Sequence, residues 1–262
     1  MKRITSRQNA LVSRFRAVAN GSERRWLLLD GAHLISDAVD ARLSVSHAIV
    51  ASDALARPDV APLVARLSQL HVELAEAPAS VLAAASPVRS SSAIVALAEP
   101  PAQSGQVFHG PRVLVPIACD VQDPGNLGAI VRVAEAAGAS GLIAAGGCAN
   151  PYGWKVLRGS MGSAFRLPVR VVHDPREAVT DARAHRCRIV ATAPRGGRSL
   201  FDADLTGALA LLIGGEGHGL DDELLDCADE RVTIPMRPPV ESLNAAVTAA
   251  LVLYEAGRSS LT

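Results

Sequence analysis

The sequence predicts two α/β domains in tandem, the second built on a parallel sheet. Three observations predict it. Short apolar runs alternate with helical patterns along most of the chain. In the later part these runs are apolar throughout, as in strands covered on both faces, instead of apolar at every second position. One Pro- and Gly-rich break, Ala98-Glu99-Pro100-Pro101-Ala102-Gln103-Ser104-Gly105-Gln106, divides the 262 residues into parts of ordinary domain size, about 100–200 residues each. The expected boundaries are a first domain at 1–99, a linker at 100–111 and a second domain at 112–262.

The first domain opens on a helix with Leu11, Phe15 and Val18 along one stripe and Arg7, Arg14 and Arg16 mostly off it. Trp26 to Leu29 reads as a buried strand, Asp30-Gly31 as a turn and Ala32 to Val39 as a helix. Val45 to Val50 and Ser92 to Leu97 are further strands. In the second domain Val113 to Ala118 is an apolar strand, followed by a helix from Leu127 to Ala137 that Gly138 can end. Gly141 to Ala144 is a strand, Pro175 to Ala184 a helix and Arg188 to Thr192 a strand. Ala208 to Ile213, Asp221 to Cys227 and Val232 to Pro235 read as strand, short helix and strand. A helix from Ser242 to Ala256 closes the pattern, with Leu243, Val247, Leu251 and Tyr254 on one face.

At 49% hydrophobic and 20% charged residues, the chain is globular and large enough to bury a core without disulfide or metal staples. Four cysteines form no CxxC pair, and no His stands at ligand spacing from them, so no metal site is expected. No long apolar run follows the basic N-terminus and none is long enough to span a bilayer, so the expected location is the cytoplasm, without membrane contact. Lys plus Arg equals Asp plus Glu at 26 each, which argues naively against a nucleic-acid partner. The balance is uneven, however. Residues 1–25 hold seven cations against Glu23 alone, a balance of +6 that the remaining 237 residues offset. Such an arm suits phosphate contacts, although a solvated helix face has the same composition. With 3% aromatics, broad base stacking is disfavoured and contacts to phosphate and RNA shape are favoured.

Parallel sheets place ligands beyond the carboxyl ends of their strands, and three loops fall there. The first, Asp120-Val121-Gln122-Asp123-Pro124-Gly125-Asn126-Leu127-Gly128, leads into a helix carrying Arg132, with Asn126 a good N-cap. The second is Ile213-Gly214-Gly215-Glu216-Gly217-His218-Gly219-Leu220. It allows close backbone approach, but it is neither a dinucleotide fingerprint nor a P-loop. The third is Ile234-Pro235-Met236-Arg237-Pro238-Pro239-Val240-Glu241-Ser242-Leu243-Asn244, stiffened by prolines, with Ser242 able to cap the last helix. Each loop alone also reads as ordinary turn and cap chemistry, and His218 as a plain loop histidine.

Together and in this order the loops resemble the SpoU (TrmH-like) family of RNA ribose 2′-O-methyltransferases in the SPOUT superfamily. Its Asn-x-Gly…Arg motif is matched by Asn126, Gly128 and Arg132, and its Gly-x-Glu-x-x-Gly motif by Gly214, Glu216 and Gly219. Its Ile-Pro-Met…Ser-Leu-Asn motif is matched by Ile234, Pro235, Met236, Ser242, Leu243 and Asn244. The stretch Lys155 to Phe165 is also family-like. Ser6 to Val12 and Asp30 to Leu34 resemble the N-terminal RNA-binding domain of many members. The chain departs from the pattern at Ser90-Ser91-Ser92-Ala93, where members often have a Gly.

The resemblance implies a small N-terminal α/β RNA-binding domain and a parallel-sheet SPOUT domain with a C-terminal trefoil knot. It implies a homodimer with active sites at the interface. The implied reaction transfers a methyl group from S-adenosyl-L-methionine to a ribose 2′-hydroxyl, without a metal, on ribosomal RNA (23S) ahead of tRNA. The cofactor is expected on Thr192, Ala193, Gly214, Gly215, Ile234, Met236 and Leu243. The catalytic set is Arg132, Asn126, Glu216, Ser242 and Asn244. A guanidinium gives up no proton easily, so Arg132 is expected to clamp phosphate and stabilise the developing alkoxide. Asn126, Ser242 and Asn244 are expected to orient the ribose or Arg132, and Glu216 to fix the loops or pair with an Arg. RNA contacts are expected at Arg7, Arg14, Arg24, Arg25, Lys155 and Arg158. Two alternatives stand beside this reading. One is an inactive RNA-binding or ribosome-associated protein of the same fold, which predicts broken cofactor motifs. The other is a nicotinamide-dependent oxidoreductase, which the missing fingerprint disfavours.

Overall fold

A computed structural model describes residues 1–88, 92–101 and 105–258. Ser90, Ser91 and the linker residues 102–104 lie outside the described residues. The chain falls into two compact units, Met1–Ala102 with Tyr152–Arg158, and Gln103–Pro151 with Gly159–Thr262.

The first unit contains β1 (Lys2–Arg3), α1 (Ala10–Ala19), β2 (Leu27–Asp30), α2 (Ala32–Asp40), β3 (Val45–Ala51), α3 (Ala61–Gln69), β4 (Glu73–Ala77), α4 (Ala79–Leu82) and β5 (Ile94–Ala98). Its sheet runs β1-β4-β3-β5-β2 and is mixed, with β5 antiparallel to both its neighbours. All five residues of β5 are buried, which explains its unbroken apolar run. Helix α1 is capped by Asn9, whose side chain accepts from the Leu11 amide at 2.9 Å. It turns Val12 and Phe15 inward and leaves Arg14 and Arg16 exposed.

The second unit contains β6 (Leu114–Cys119), α5 (Pro124–Ala136), β7 (Leu142–Ala145), α6 (Trp154–Ser160, grouped with the first unit up to Arg158), α7 (Ser163–Arg166), β8 (Val169–Val172), α8 (Pro175–Ala184), β9 (Arg188–Thr192), β10 (Arg198–Ser199), β11 (Leu209–Gly214), α9 (Asp222–Asp226), β12 (Glu230–Thr233) and α10 (Ala245–Gly257). The sheet order is β10-β12-β9-β11-β6-β7-β8, and every described pairing is parallel. Alternate residues of the central strands enter two separate layers. Val115, Ile117, Ala210 and Leu212 pack with Ala178, Val179 and Ala182 of α8, while Leu114, Leu209, Leu211 and Ile213 are buried on the other side. There α10 packs on α5 and on β11. Part of the expected linker joins the core, since Val107 and Phe108 are buried in it.

Two caps differ from expectation. Asp123, not Asn126, caps α5, accepting from the Asn126 amide at 2.9 Å, and Pro124 takes the first helical position. Asn244, not Ser242, caps α10, accepting from the Ala246 and Val247 amides. Helix α5 does end as expected, with Gly138 in the left-handed region at φ +75°. Helix α10 buries Ala249, Val252, Leu253 and Ala256 but leaves Val247, Leu251 and Tyr254 exposed. Among the described residues no helix is long and apolar enough to cross a membrane.

The carboxyl ends of β6, β9, β11 and β12 deliver the segments beginning at 120, 193, 215 and 234 to one edge of the sheet. The approach is backbone to backbone. A Cβ on Gly215 would stand 2.1 Å from the Asp120 carbonyl oxygen, and one on Gly214 would stand 2.4 Å from the Gly219 carbonyl carbon. Gly215→Ala is therefore expected to destabilise the protein by about 1–3 kcal/mol through overpacking. Urea unfolding checks this, and a variant as stable as wild type would contradict the close approach.

Candidate active site

Three loops meet at this edge, and one side chain joins them. Asn126, in the first turn of α5, donates through Nδ2 to Glu216 Oε1 in the loop after β11. Its Oδ1 accepts from Asn244 Nδ2 at 2.9 Å, at the start of α10. Glu216 Oε2 accepts from the Gln122 amide at 3.2 Å. The oxygen of Asn244 caps α10, so both ends of each carboxamide are engaged. The two asparagines and Glu216 thus hold the loops to one another. Among the described residues Glu216 pairs with no Arg, and its bonds go to the loop at Gln122 and Asn126.

A fourth segment is tied in through Asp120, which the sequence reading did not single out. Asp120 stands in the left-handed region at φ +56° directly after β6. Its Oδ1 accepts from the Gly147 amide at 2.6 Å, and Gly146 leaves room for it, since a Cβ there would lie 2.5 Å from that oxygen. The available signal was the Gly146-Gly147 pair following a strand.

Beside this junction lies a cleft of about 510 Å³. All seven residues expected to hold the cofactor line it: Thr192, Ala193, Gly214, Gly215, Ile234, Met236 and Leu243. Glu216, Ser242 and Asn244 line it as well. Leu225, Val232 and Thr248 also line it and had no sequence signal of their own beyond apolar or helical pattern. The size falls within the range of about 300–1,000 Å³ usual for small-molecule sites. Apolar walls beside hydroxyls and a glycine-rich backbone suit a ligand with an adenine at one end and a charged amino acid at the other. Thr192 Oγ1 donates its proton to the Leu212 carbonyl at 3.0 Å, which leaves only its acceptor lone pairs open toward the cleft. The Ser242 hydroxyl has no partner among the described residues and is exposed at the cleft.

Of the two catalytic candidates that do not line the cleft, Asn126 meets it through Glu216 and Asn244, and Arg132 is not brought to it. It lies six residues past Asn126, about 9 Å along α5, exposed and without a side-chain partner among the described residues. Among those residues no group of three His, Cys, Asp or Glu side chains is placed to hold a metal ion. The thiols of Cys119 and Cys148 are pushed up by burial, which keeps them protonated and inert.

In the first unit the expected RNA-contacting cations are on the surface. Arg24 and Arg158 are exposed and free of partners among the described residues. Arg7 donates to the Ser80 carbonyl at 3.1 Å, and Arg14 stands 3.9 Å from Glu23. Arg25 lies over the Trp26 ring at 5.0 Å and Lys155 over Trp154 at 5.5 Å, so each tryptophan supports a cation.

Burial acts to raise the Glu216 pKa. Hydrogen bonds from Asn126 and from the backbone amides of Glu216, Gln122 and Asp123 outweigh it and hold the carboxyl below its ordinary value. A depressed carboxyl contributes stability above its unfolded pKa and loses it as pH falls through the folded one. Glu216→Gln is therefore expected to be less stable than wild type near neutral pH, with the gap closing in acid. Urea midpoints at several pH values check this, and a gap independent of pH would contradict an ionised, bonded Glu216.

The SpoU rRNA Methylase family profile matches residues 114–254. An uncharacterised tRNA/rRNA methyltransferase of Synechocystis is 32% identical over 97% of this chain and 93% of its own length. The 23S rRNA (guanosine(2553)-2′-O)-methyltransferase of Bacillus subtilis is 28% identical over 97% of this chain and 98% of its own. The solved structure of the SpoU methyltransferase AviRb from Streptomyces viridochromogenes, in complex with AdoMet, is 31% identical. It aligns with a TM-score of 0.85 over 97% of this chain and 99% of that one. With its two-sheet architecture, its glycine-lined cleft and these likenesses along nearly its whole length, the chain belongs to the SpoU rRNA methylase family of knotted α/β methyltransferases.

Proposed function

We propose that the protein transfers a methyl group from S-adenosyl-L-methionine to a ribose 2′-hydroxyl of 23S ribosomal RNA. The observation that carries this reading is the cleft: every residue expected to hold the cofactor lines one cavity of suitable size. The names of the relatives support the substrate class, since the Bacillus subtilis relative acts on 23S rRNA. Residues 1–99 hold the RNA and residues 112–262 carry out the transfer. A cytoplasmic location suits that substrate.

When bound, S-adenosyl-L-methionine supplies a methyl group activated on a sulfonium. The chain's own work is positioning. The Glu216–Asn126–Asn244 junction keeps the cleft in shape before RNA arrives, so little reorganisation is left for the reaction. Ser242, with its hydroxyl uncommitted, is the group that orients the incoming ribose. Arg132 clamps phosphate and stabilises the developing alkoxide.

A homodimer reconciles Arg132 with its distance from the cleft. The exposed apolar stripe Val247, Leu251 and Tyr254 on α10, which packs on the Arg132-bearing α5, is the face that a second copy covers. Arg132 then serves the partner's cleft. Arg132→Ala is expected to lower kcat by a factor of about 10²–10³, with cofactor affinity unchanged. The assay is methyl transfer to a 23S rRNA transcript, with the mass in solution measured alongside and expected to be that of two chains. Near-normal turnover in Arg132→Ala would remove its assigned role, and a single-chain mass in the active enzyme would remove the shared site.

A further inference from the structure

The second unit leaves few guanidinium groups free. Arg166, Arg170, Arg176, Arg183, Arg188 and Arg198 each hold a carboxylate. Three arginines of this unit, Arg132, Arg186 and Arg237, have no side-chain hydrogen bond or ion pair among the described residues. Arg186 precedes β9, at the edge of the sheet opposite the cleft. Arg132 already has an assigned role. Arg237 has none.

Arg237 directly follows Met236, which lines the cleft, and stands a few residues before Ser242, which lines it too. Its position is fixed at the backbone. The Val240 amide donates to the Arg237 carbonyl at 3.2 Å, and Pro238 and Pro239 stiffen the turn between them. Its charge is left open. The one acid in this loop, Glu241, is taken by Arg195 at 3.0 Å. An exposed guanidinium is thus presented from a stiff turn on the rim of the cleft, with five donors and nothing of its own to bind. That fork matches the oxygens of a phosphate.

We propose that Arg237 binds a phosphate of the RNA backbone next to the nucleotide delivered to the cleft. The contact adds a grip at the reacting end of the RNA to that of the basic N-terminal arm. The proposal rests on the RNA methyltransferase reading above.

The test measures binding of a 23S rRNA transcript across a salt series for wild type, Arg237→Gln and Arg186→Gln, together with S-adenosyl-L-methionine affinity and steady-state kinetics. Arg237→Gln is expected to flatten the slope of log affinity against log salt by about 0.7–0.9, the loss of one phosphate contact. Its KM for RNA rises by a larger factor than its kcat falls, and its cofactor affinity stays that of wild type. Arg186→Gln matches wild type throughout. An unchanged slope in Arg237→Gln, an equal loss in Arg186→Gln, or a loss confined to cofactor affinity overturns the proposal. If wild type itself fails to bind or methylate the transcript, the RNA methyltransferase reading fails with it, and that outcome is separable from failure of Arg237 alone.

Discussion

The site depends on one carboxamide. Asn126 carries a donor and an acceptor on a single rigid plane, and it spends the donor on Glu216 and the acceptor on Asn244. A hydroxyl would have to do both through one oxygen, whereas the carboxamide puts donor and acceptor on separate atoms that can face different loops. The three loops come from positions 90 and 118 residues apart in sequence, so nothing local brings them together. The junction stands at the end of a sheet whose core is already set. Its contribution is therefore geometric, fixing which way each loop leaves its strand.

That constraint accounts for features that otherwise look unrelated. The loop bearing Glu216 passes directly over the Asp120 carbonyl, where a Cβ on Gly215 would collide. Asp120 takes a left-handed conformation to end β6 abruptly, and its carboxylate is repaid by the Gly147 amide. Asn244 starts α10 and closes the junction with the same side chain, so the direction of the last helix and the shape of the cleft are set together. The apolar outer face of that helix is left exposed beside α5, whose own exposed side carries Arg132.

Much of this was legible in the sequence. Strand β9 and helix α8 were bounded correctly, because a continuous apolar run and an Asp-Pro start leave little choice. The seven residues expected from the family resemblance to hold the cofactor all line one cleft. Other features were hidden for physical reasons. Strand β4 reads Glu-Leu-Ala-Glu-Ala, with weak strand formers and two acids, and is made a strand by its neighbours β1 and β3. The caps were misassigned because Asp123 and Asn126 are both good capping residues three positions apart, and Ser242 and Asn244 two apart. Sequence alone does not say which one another loop will claim. The apolar stripe of α10 was visible as a helical face, but not that the chain would leave it uncovered.

Asn126 and Glu216, bonded to each other at the edge of the cleft, act as one unit in shaping it. The direct measurement is a double-mutant cycle, with S-adenosyl-L-methionine affinity determined for Asn126→Ala, Glu216→Ala and the pair. A shared junction predicts that each single change weakens binding and that the double change is little worse than either, a clear departure from additivity. Losses that simply add, or single variants that bind as tightly as wild type, would contradict the account.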